Sequence, residues 1–258
     1  MGYAIVQKEL VVPNVELLTR AFCTLPELTS IDAQNAANDA YGILLRGLDG
    51  ERAGALQAAL THEGIETEMI RETELPRLSA PRIVRQVQFT PEHLAVHDPM
   101  QRVTRIPWND IILIAAGRVN WREIRRLSGG MDDQAHAGSL ISEVSNISRL
   151  REEEHERLVI DLFLTDRATR FGIIAAEFNF GHLGQRLSDD LAINHLFLIQ
   201  ELEEHAPHAS LNQGAFHACQ KPPQAFTYPS RQAYQEELVW MLWQISRLTA
   251  GGGAAPNS

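Results

Sequence analysis

The spacing of apolar residues changes near residue 80, and this change constrains the fold more than any other feature of the 258-residue chain. Before it, apolar residues recur at helical spacing between short β-forming stretches. From Arg82 onward, apolar and polar residues alternate, which is typical of antiparallel strands with one solvated face. The sequence therefore predicts an α+β protein of two modules, joined by a linker at residues 72–81 that contains Pro76 and Pro81.

The first module, residues 1–71, carries the capping residues of a small β-α-α-β-α-β unit. Asn14 and Asp49 are good N-caps, and Gly64 supplies the left-handed position that ends a helix. Thr29 or Ser30 begins the second helix. We expect helices at residues 15–24, 31–39 and 50–63, and strands at residues 3–12, 41–46 and 65–70. Helices placed between strands in this way cover one face of a sheet.

An alanine-rich helix, a glycine turn and a strand with alternating glutamates follow one another in this module. They occupy the runs GLDGERA at residues 47–53 and AALTHEGIETEM at residues 58–69. Together with the rest of residues 29–70, these motifs resemble the C-terminal domain of the bacterial ribosomal stalk protein, whose fold also includes the Clp-protease adaptor. The resemblance implies the same sandwich-type fold. The factor-binding helix of that family is rich in lysine, whereas residues 29–63 contain none, so its activity is not expected here.

The second module, residues 82–204, is predicted to contain five or six short antiparallel strands followed by a helix. We expect strands near residues 82–89, 94–96, 102–108, 110–116, 158–165 and 168–176, and a helix at residues 189–204. This order, together with the run RIPWNDIILI at residues 105–114, is similar to bacterial pleckstrin-homology-like (PH-like) domains of the GRAM type. The resemblance implies a PH-like β-barrel, a fold that does not by itself fix a function.

Two regions lie outside this scheme. Residues 120–157 are polar and are predicted to interrupt the barrel as a long insertion, and loops of that length are usually functional or disordered. Residues 205–248 are expected to form a loop and a C-terminal helix that packs on the barrel or on a partner. The glycine-rich residues 249–258 are expected to be a flexible tail.

Charge and composition argue against several classes of function. The formal net charge is −10, and only Lys8 and Lys221 are lysines, which opposes general binding to nucleic acid or to anionic membranes. The longest apolar stretches fall far short of the roughly 18 residues that a membrane helix needs. The N-terminus lacks a signal-peptide pattern, and Cys23 and Cys219 fit idle thiols in a reducing compartment. We therefore expect a cytoplasmic location, with no nucleic acid and no membrane insertion.

The sequence motifs of common enzyme classes are missing. We find no G-x-S-x-G, no G-x-x-x-x-G-K-[ST], no H-E-x-x-H and no C-x-x-C motif, and no cofactor is predicted. Asp161 lies in a predicted strand, where a partly buried acid with a raised pKa is one interpretation. The favoured interpretation is that Asp161 faces solvent.

A group of metal-ligating residue types occurs near the start of the C-terminal region. These are His205, His208, His217 and Cys219, and zinc accepts imidazole and thiolate ligands. Their spacing matches no standard zinc module, so ordinary surface histidines are favoured and no metal is predicted. The four residues are nevertheless the candidate site for an alternative function, a metal-dependent hydrolytic enzyme.

A tryptophan and three arginines begin the predicted insertion. Trp121, Arg122, Arg125 and Arg126 have the chemistry to hold a phosphate, a nucleic-acid base or an acidic protein patch. The competing interpretation is the exposed start of a helix, with salt bridges to Glu123. The four residues are our candidate interaction site.

These observations favour a non-enzymatic interaction or regulatory protein, a scaffold that binds a protein partner. The partner is expected to contact the long insertion or the C-terminal helix. The alternatives are the hydrolytic enzyme and a protein that binds lipid or phosphate ligands through the barrel. The sequence leaves open whether the chain forms a homo-oligomer.

Overall fold

The computed structural model describes residues 2–12, 14–126 and 150–251, with side chains described outside residues 122–126, 150–154 and 250–251. It has mixed α+β structure, as predicted. The described chain comprises an N-terminal three-stranded sheet with its helices, two further sheets, and a long C-terminal helix.

The first module has the predicted β-α-α-β-α-β order. Its elements are β1 (Tyr3–Gln7), α1 (Val15–Phe22), α2 (Ser30–Asp39), β2 (Ile43–Leu48), α3 (Gly50–His62) and β3 (Thr67–Arg71). Strand β1 lies in the centre of the sheet and pairs antiparallel with both neighbours. The buried side chains of the three helices pack on one face of this sheet.

The predicted caps set the ends of these helices. The Asn14 side chain accepts hydrogen bonds from the first turn of α1, and Asp49 does the same for α3. Thr29 forms a reciprocal capping box with Asp32 at the start of α2. Gly64 adopts a left-handed φ of 77° directly after α3. All four predicted caps are confirmed, because each depends only on the few residues around it.

Two open sheets follow the first module, and the larger one includes two strands from beyond residue 204. The smaller is an antiparallel meander of β5 (Gln86–Phe89), β6 (His93–His97) and β7 (Val103–Pro107). The larger has the order β11-β8-β9-β10-β4, and β12 also pairs with β8. Its strands are β4 (Arg82–Ile83), β8 (Ile111–Arg126), β9 (Leu150–Leu164), β10 (Arg170–Ile174), β11 (Ser210–Leu211) and β12 (Thr227–Tyr228).

The predicted closed, antiparallel PH-like barrel is not confirmed. The described strands form open sheets, and the short strands β4, β11 and β12 join the larger sheet in parallel. Alternation identifies a strand and its two faces, but it does not identify the neighbours of that strand.

The predicted insertion at residues 120–157 begins and ends inside strands, which corrects its bounds. Residues up to Arg126 continue β8, and residues from Leu150 onward belong to β9. The two strands pair in register from Val119 opposite Arg157 out to Arg126 opposite Leu150. Polar composition concealed these strand ends because their pairing does not require a buried face. Residues 127–149 lie outside the described residues.

After β10 the described chain contains the helices α4 (Leu191–His205), α5 (Gln213–Cys219) and α6 (Arg231–Gly251), with β11 and β12 between them. Helix α4 confirms the predicted helix at residues 189–204 within two residues, and its N-cap is Asp190. Helices α4 and α5 pack on one face of the β8–β9 pair, together with the meander. The other face of that pair is covered by α6.

Helix α6 lies between the two modules and fills the space between their sheets. Val239, Trp240 and Trp243 pack on the face of the N-terminal sheet opposite its helices. Leu238 and Leu242 pack on β8 and β9. The Trp240 indole Nε1 donates to the carbonyl oxygen of Gln7 at 2.7 Å. The predicted C-terminal helix thus uses its apolar surface within the chain, which removes it as the main surface for a partner.

Helix α5 lies so close to β8 that Gly214 has no room for a side chain. A Cβ there would overlap the backbone oxygen of Ala116. We expect Gly214→Ala to lower the free energy of unfolding by about 2 kcal/mol or more, because α5 must move away from β8. Urea unfolding measures this change.

Gly54, in the interior of α3, provides the matched control. A Cβ there meets no atom within 4 Å. Gly54→Ala is therefore expected to be neutral or to stabilise the protein by roughly 0.5–1 kcal/mol. If both substitutions change the free energy of unfolding by similarly small amounts, α5 does not approach β8 as closely as described.

Candidate functional site

An apolar pocket of about 240 Å³ opens between α4, α5 and the β8–β9 hairpin. We call it the α4–α5 pocket. Its walls include backbone at Gly117 and Gly214 and side chains from both helices and from the loop before β12. The lining of the pocket includes Arg118, Ala192, Ile193, His195 and Phe226. A concave, mainly apolar site with a few polar groups is the usual form of a small-ligand pocket.

Arg118 is the cationic group of this pocket. Its Nη1 donates to Glu156 Oε2 at 3.0 Å, across the hairpin. Its Nε is buried and has no hydrogen-bond partner among the described residues. Leaving a buried donor unsatisfied costs about 1–3 kcal/mol, so this N–H is suited to receive an acceptor from outside the chain.

His195 is a buried, neutral group in the wall of the pocket. Its Nε2 lies 3.1 Å from the carbonyl oxygen of Val159. Because a carbonyl only accepts, Nε2 carries the proton and Nδ1 has the free lone pair. Burial lowers the pKa of His195 to about 4, so the ring adds no charge to the pocket at neutral pH.

A fully buried carboxylate, Glu237 of α6, lies at the start of α5. Its oxygens accept hydrogen bonds from the Gln213 backbone N at 2.8 Å, from the Tyr228 hydroxyl, and from Asn212 Nδ2 at 3.3 Å. Asn212 also bonds both backbone groups of Ala116 in β8. Burial raises the pKa of Glu237 to about 7. This network ties α5, α6, β8 and β12 together beside the pocket.

Asp161 is buried, so the expectation that it faces solvent is wrong. Arg170 donates to it through Nε at 2.7 Å and Nη2 at 2.8 Å, and the Tyr234 hydroxyl donates to it at 2.9 Å. Alternation does place Asp161 on the opposite face from Ile160. That face is covered by α6, which the sequence pattern of β9 does not reveal. The group is a structural ion pair within the sheet, and the Tyr234 hydroxyl links it to α6.

Trp121, the centre of the predicted interaction site, is half-buried at the α6 face of the hairpin. Its indole lies between two guanidinium groups, Arg157 at 4.7 Å and Arg231 at 4.3 Å from the ring centroid. The predicted arginine partners at positions 122, 125 and 126 lie in β8, and their side chains fall outside the described ones. The alternative of an exposed helix start is wrong, since this stretch is a strand.

From Asn120 outward the hairpin has only two strands among the described residues. Strand β12 pairs with β8 no further than Val119, and β10 pairs with β9 only between residues 159 and 163. In the described part of the chain, the strand pairing of residues 120–126 is with residues 150–156 alone. We call these residues the β8–β9 arm.

The structure does not bring together the four candidate metal ligands, His205, His208, His217 and Cys219. The His205 ring packs against Trp108 at 4.8 Å, and the His217 ring stacks on an aromatic ring 5.4 Å away. His208 is exposed. Burial raises the pKa of the Cys219 thiol to about 11, so it is not a thiolate at neutral pH. Among the described residues, which include these four, no three metal-ligating side chains are placed to hold a metal.

Comparisons with family models, with characterised proteins and with solved structures give no match to this chain. The two resemblances noted in the sequence therefore remain predictions. Within the described part of the chain, no helix combines the length and apolar character that a bilayer-spanning segment requires.

Sequence reasoning found Trp121 but missed the other groups of these sites. Arg118, His195 and Glu237 belong to no motif and lie on three different elements. The only local signal was an arginine within an otherwise apolar strand, at Arg118. Such a residue equally fits a solvated strand face, so the pocket emerges only from tertiary packing.

Proposed function

We propose that this chain is a non-enzymatic binding protein that holds a protein partner at the β8–β9 arm. The observation that carries the proposal is the pairing of the arm, whose two strands pair only with each other among the described strands. No described strand pairs with either outer edge of this ribbon. Unpaired edges of this kind are templates for another strand.

Contacts at its base attach the arm to the rest of the protein. The arm can therefore keep a fixed orientation for a partner. Trp121 is clamped between Arg157 of β9 and Arg231 of α6. Cation–π contacts of this type contribute about 0.5–1 kcal/mol each when partly exposed. A two-stranded ribbon is only marginally stable in water by itself, so the arm gains stability when a partner adds to it.

The chemistry of the buried groups favours binding over catalysis. Asp161 accepts hydrogen bonds from Arg170 and Tyr234. Glu237 accepts hydrogen bonds from three donors, so neither carboxylate is free to act on a substrate. The hydrolytic alternative loses support because its four candidate ligands are dispersed. The free thiols of Cys23 and Cys219 fit the proposed cytoplasmic location.

The PH-like character of residues 82–204 remains part of the proposal. Domains of that class commonly present surfaces to partners, as the scaffold role requires. No group among the described residues favours the alternative of lipid or phosphate binding through a barrel.

Quantitative affinity capture from the native cell tests the proposal. The arm variant is Arg122→Glu, Arg125→Glu and Arg126→Glu together, and the matched control reverses three exposed arginines elsewhere, Arg71, Arg77 and Arg105. We expect a protein that wild type and control capture equally and that the arm variant captures at least about tenfold less. A differently tagged second copy, co-expressed, tests self-association in the same experiment.

The captured protein must then bind the purified chain directly, with the same loss in the arm variant. Far-ultraviolet circular dichroism and urea unfolding establish that both variants are folded. If every captured protein is retained by the arm variant, or is lost equally by the control, the arm is not the binding surface.

A further inference from the structure

We infer that the α4–α5 pocket is a second binding site, which takes a small apolar monocarboxylate with its carboxylate on Arg118. The inference goes beyond partner binding by the arm and does not depend on it. Arg118 and Trp121 are three residues apart in β8, so their side chains leave opposite faces of the strand.

The size and lining of the pocket suit a small apolar body. Its volume is about 240 Å³, and apolar surface dominates its walls. For comparison, an apolar cavity of about 150 Å³ holds benzene. The pocket therefore accommodates a phenyl ring or a short alkyl chain with a polar end group. Ile193 and Phe226 lie in its walls, and the neutral ring of His195 places no charge beside the body of the ligand.

The Arg118 guanidinium recognises the carboxylate of the ligand. Glu156 occupies Nη1 alone, so the Nε–Nη2 edge of the guanidinium has no acceptor among the described residues. This edge is a planar pair of N–H donors whose geometry matches the two oxygens of a carboxylate. A carboxylate placed there satisfies the buried Nε–H, for which no described residue provides an acceptor.

The arrangement also explains why the ligand should carry one negative charge and no more. Glu156 lies beside Arg118 and already offsets part of its positive charge. A dianion would place a further negative charge next to Glu156, whereas a neutral amide would put its own donors against the guanidinium edge. A monocarboxylate avoids both penalties.

Isothermal titration calorimetry of the purified full chain tests the inference with defined probes. The acids are 3-phenylpropionate and hexanoate, which separate an aromatic from an alkyl body, and each is compared with its amide. We expect at least one acid to bind, and its amide to bind about tenfold or more weakly, the factor that corresponds to about 1.4 kcal/mol.

Three variants localise the binding. Arg118→Leu is expected to weaken the acid by about tenfold or more while leaving the amide little changed. Ala192→Phe fills the pocket from α4 and is expected to abolish binding of the acid. Arg105→Leu, at an exposed position in β7, should bind as wild type does.

The acid-versus-amide comparison uses the unaltered protein, so it remains decisive if a variant does not fold. Binding of an acid that Arg118→Leu reduces and Ala192→Phe abolishes supports the site. The inference is overturned if neither acid binds, if amides bind as tightly as acids, or if folded Ala192→Phe retains binding.

Discussion

Replacing Arg170 with methionine is expected to lower the free energy of unfolding by about 3–5 kcal/mol, because it leaves the Asp161 carboxylate buried without its cation. The two side chains are almost fully buried and bonded through two N–H donors, with Tyr234 adding a third bond from α6. Burying a charge without a partner is among the largest penalties that one substitution can cause. Urea unfolding at neutral pH measures the loss.

The triple variant Asp161→Leu, Arg170→Met and Tyr234→Phe is the control for this prediction. It removes every polar group of the buried set and leaves no charge unpaired. An apolar replacement of a buried ion pair is often neutral or stabilising, so the triple variant should unfold at a higher urea concentration than Arg170→Met alone. A triple variant that is less stable than the single one would mean that lost volume, not charge, dominates.

Protonation of Glu237 is expected to make stability depend on pH. Burial raises the pKa of Glu237 in the folded protein from 4.5 to about 7. Between these values the folded chain holds a proton that the unfolded chain has released. The stabilisation is therefore complete below the unfolded pKa and is lost as the pH rises through the folded pKa.

Glu237→Gln removes this titration and keeps the shape of the side chain. Relative to wild type, the variant should gain on the order of 2–3 kcal/mol in free energy of unfolding between about pH 5 and about pH 8. The neighbouring hydroxyls of Tyr228 and Tyr41 have pKa values raised by burial and stay protonated over this range.

Urea unfolding of both proteins at several pH values measures the difference. Other groups, including His195, titrate in both proteins and cancel in the comparison. The exposed Glu9→Gln substitution shows the effect of such a change at the surface, expected to be within about 0.5 kcal/mol of wild type. Parallel pH profiles for wild type and Glu237→Gln would contradict a raised pKa.

Local features of the fold were predictable because few residues determine them. Asn14, Thr29, Asp49 and Gly64 each mark a helix end through bonds or dihedral angles within about one turn. The hairpin of β9 and β10 around Asp166 and Arg167 follows for the same reason. Each of these elements is determined by its own local sequence.

The arrangement of the elements was less predictable because it depends on distant partners. Asp161 alternates as a solvated residue would, but α6, about 70 residues later in the chain, covers it. The extended ends of β8 and β9 look like a polar loop, since pairing between backbones leaves no hydrophobic pattern. The PH-like barrel is not confirmed at the same step, because alternation does not determine which strands are neighbours.

The two candidate sites also differ in how well the sequence predicts them. Trp121 stands out in the sequence because a tryptophan among arginines is unusual chemistry, yet the described arginines on its ring are Arg157 and Arg231 rather than its near neighbours. The pocket has no sequence motif, because its polar residues Arg118 and His195 are ordinary members of β8 and α4 until the helices pack over the sheet.

Hydrogen exchange of the chain, free and bound to its captured partner, is the most direct test of the binding role. If the partner adds to the β8–β9 arm, amides at residues 120–126 and 150–156 should exchange more slowly in the complex, while those of α3 remain unchanged. Protection confined to other elements, with unchanged exchange in the arm, would contradict the proposal that this hairpin is where the protein holds its partner.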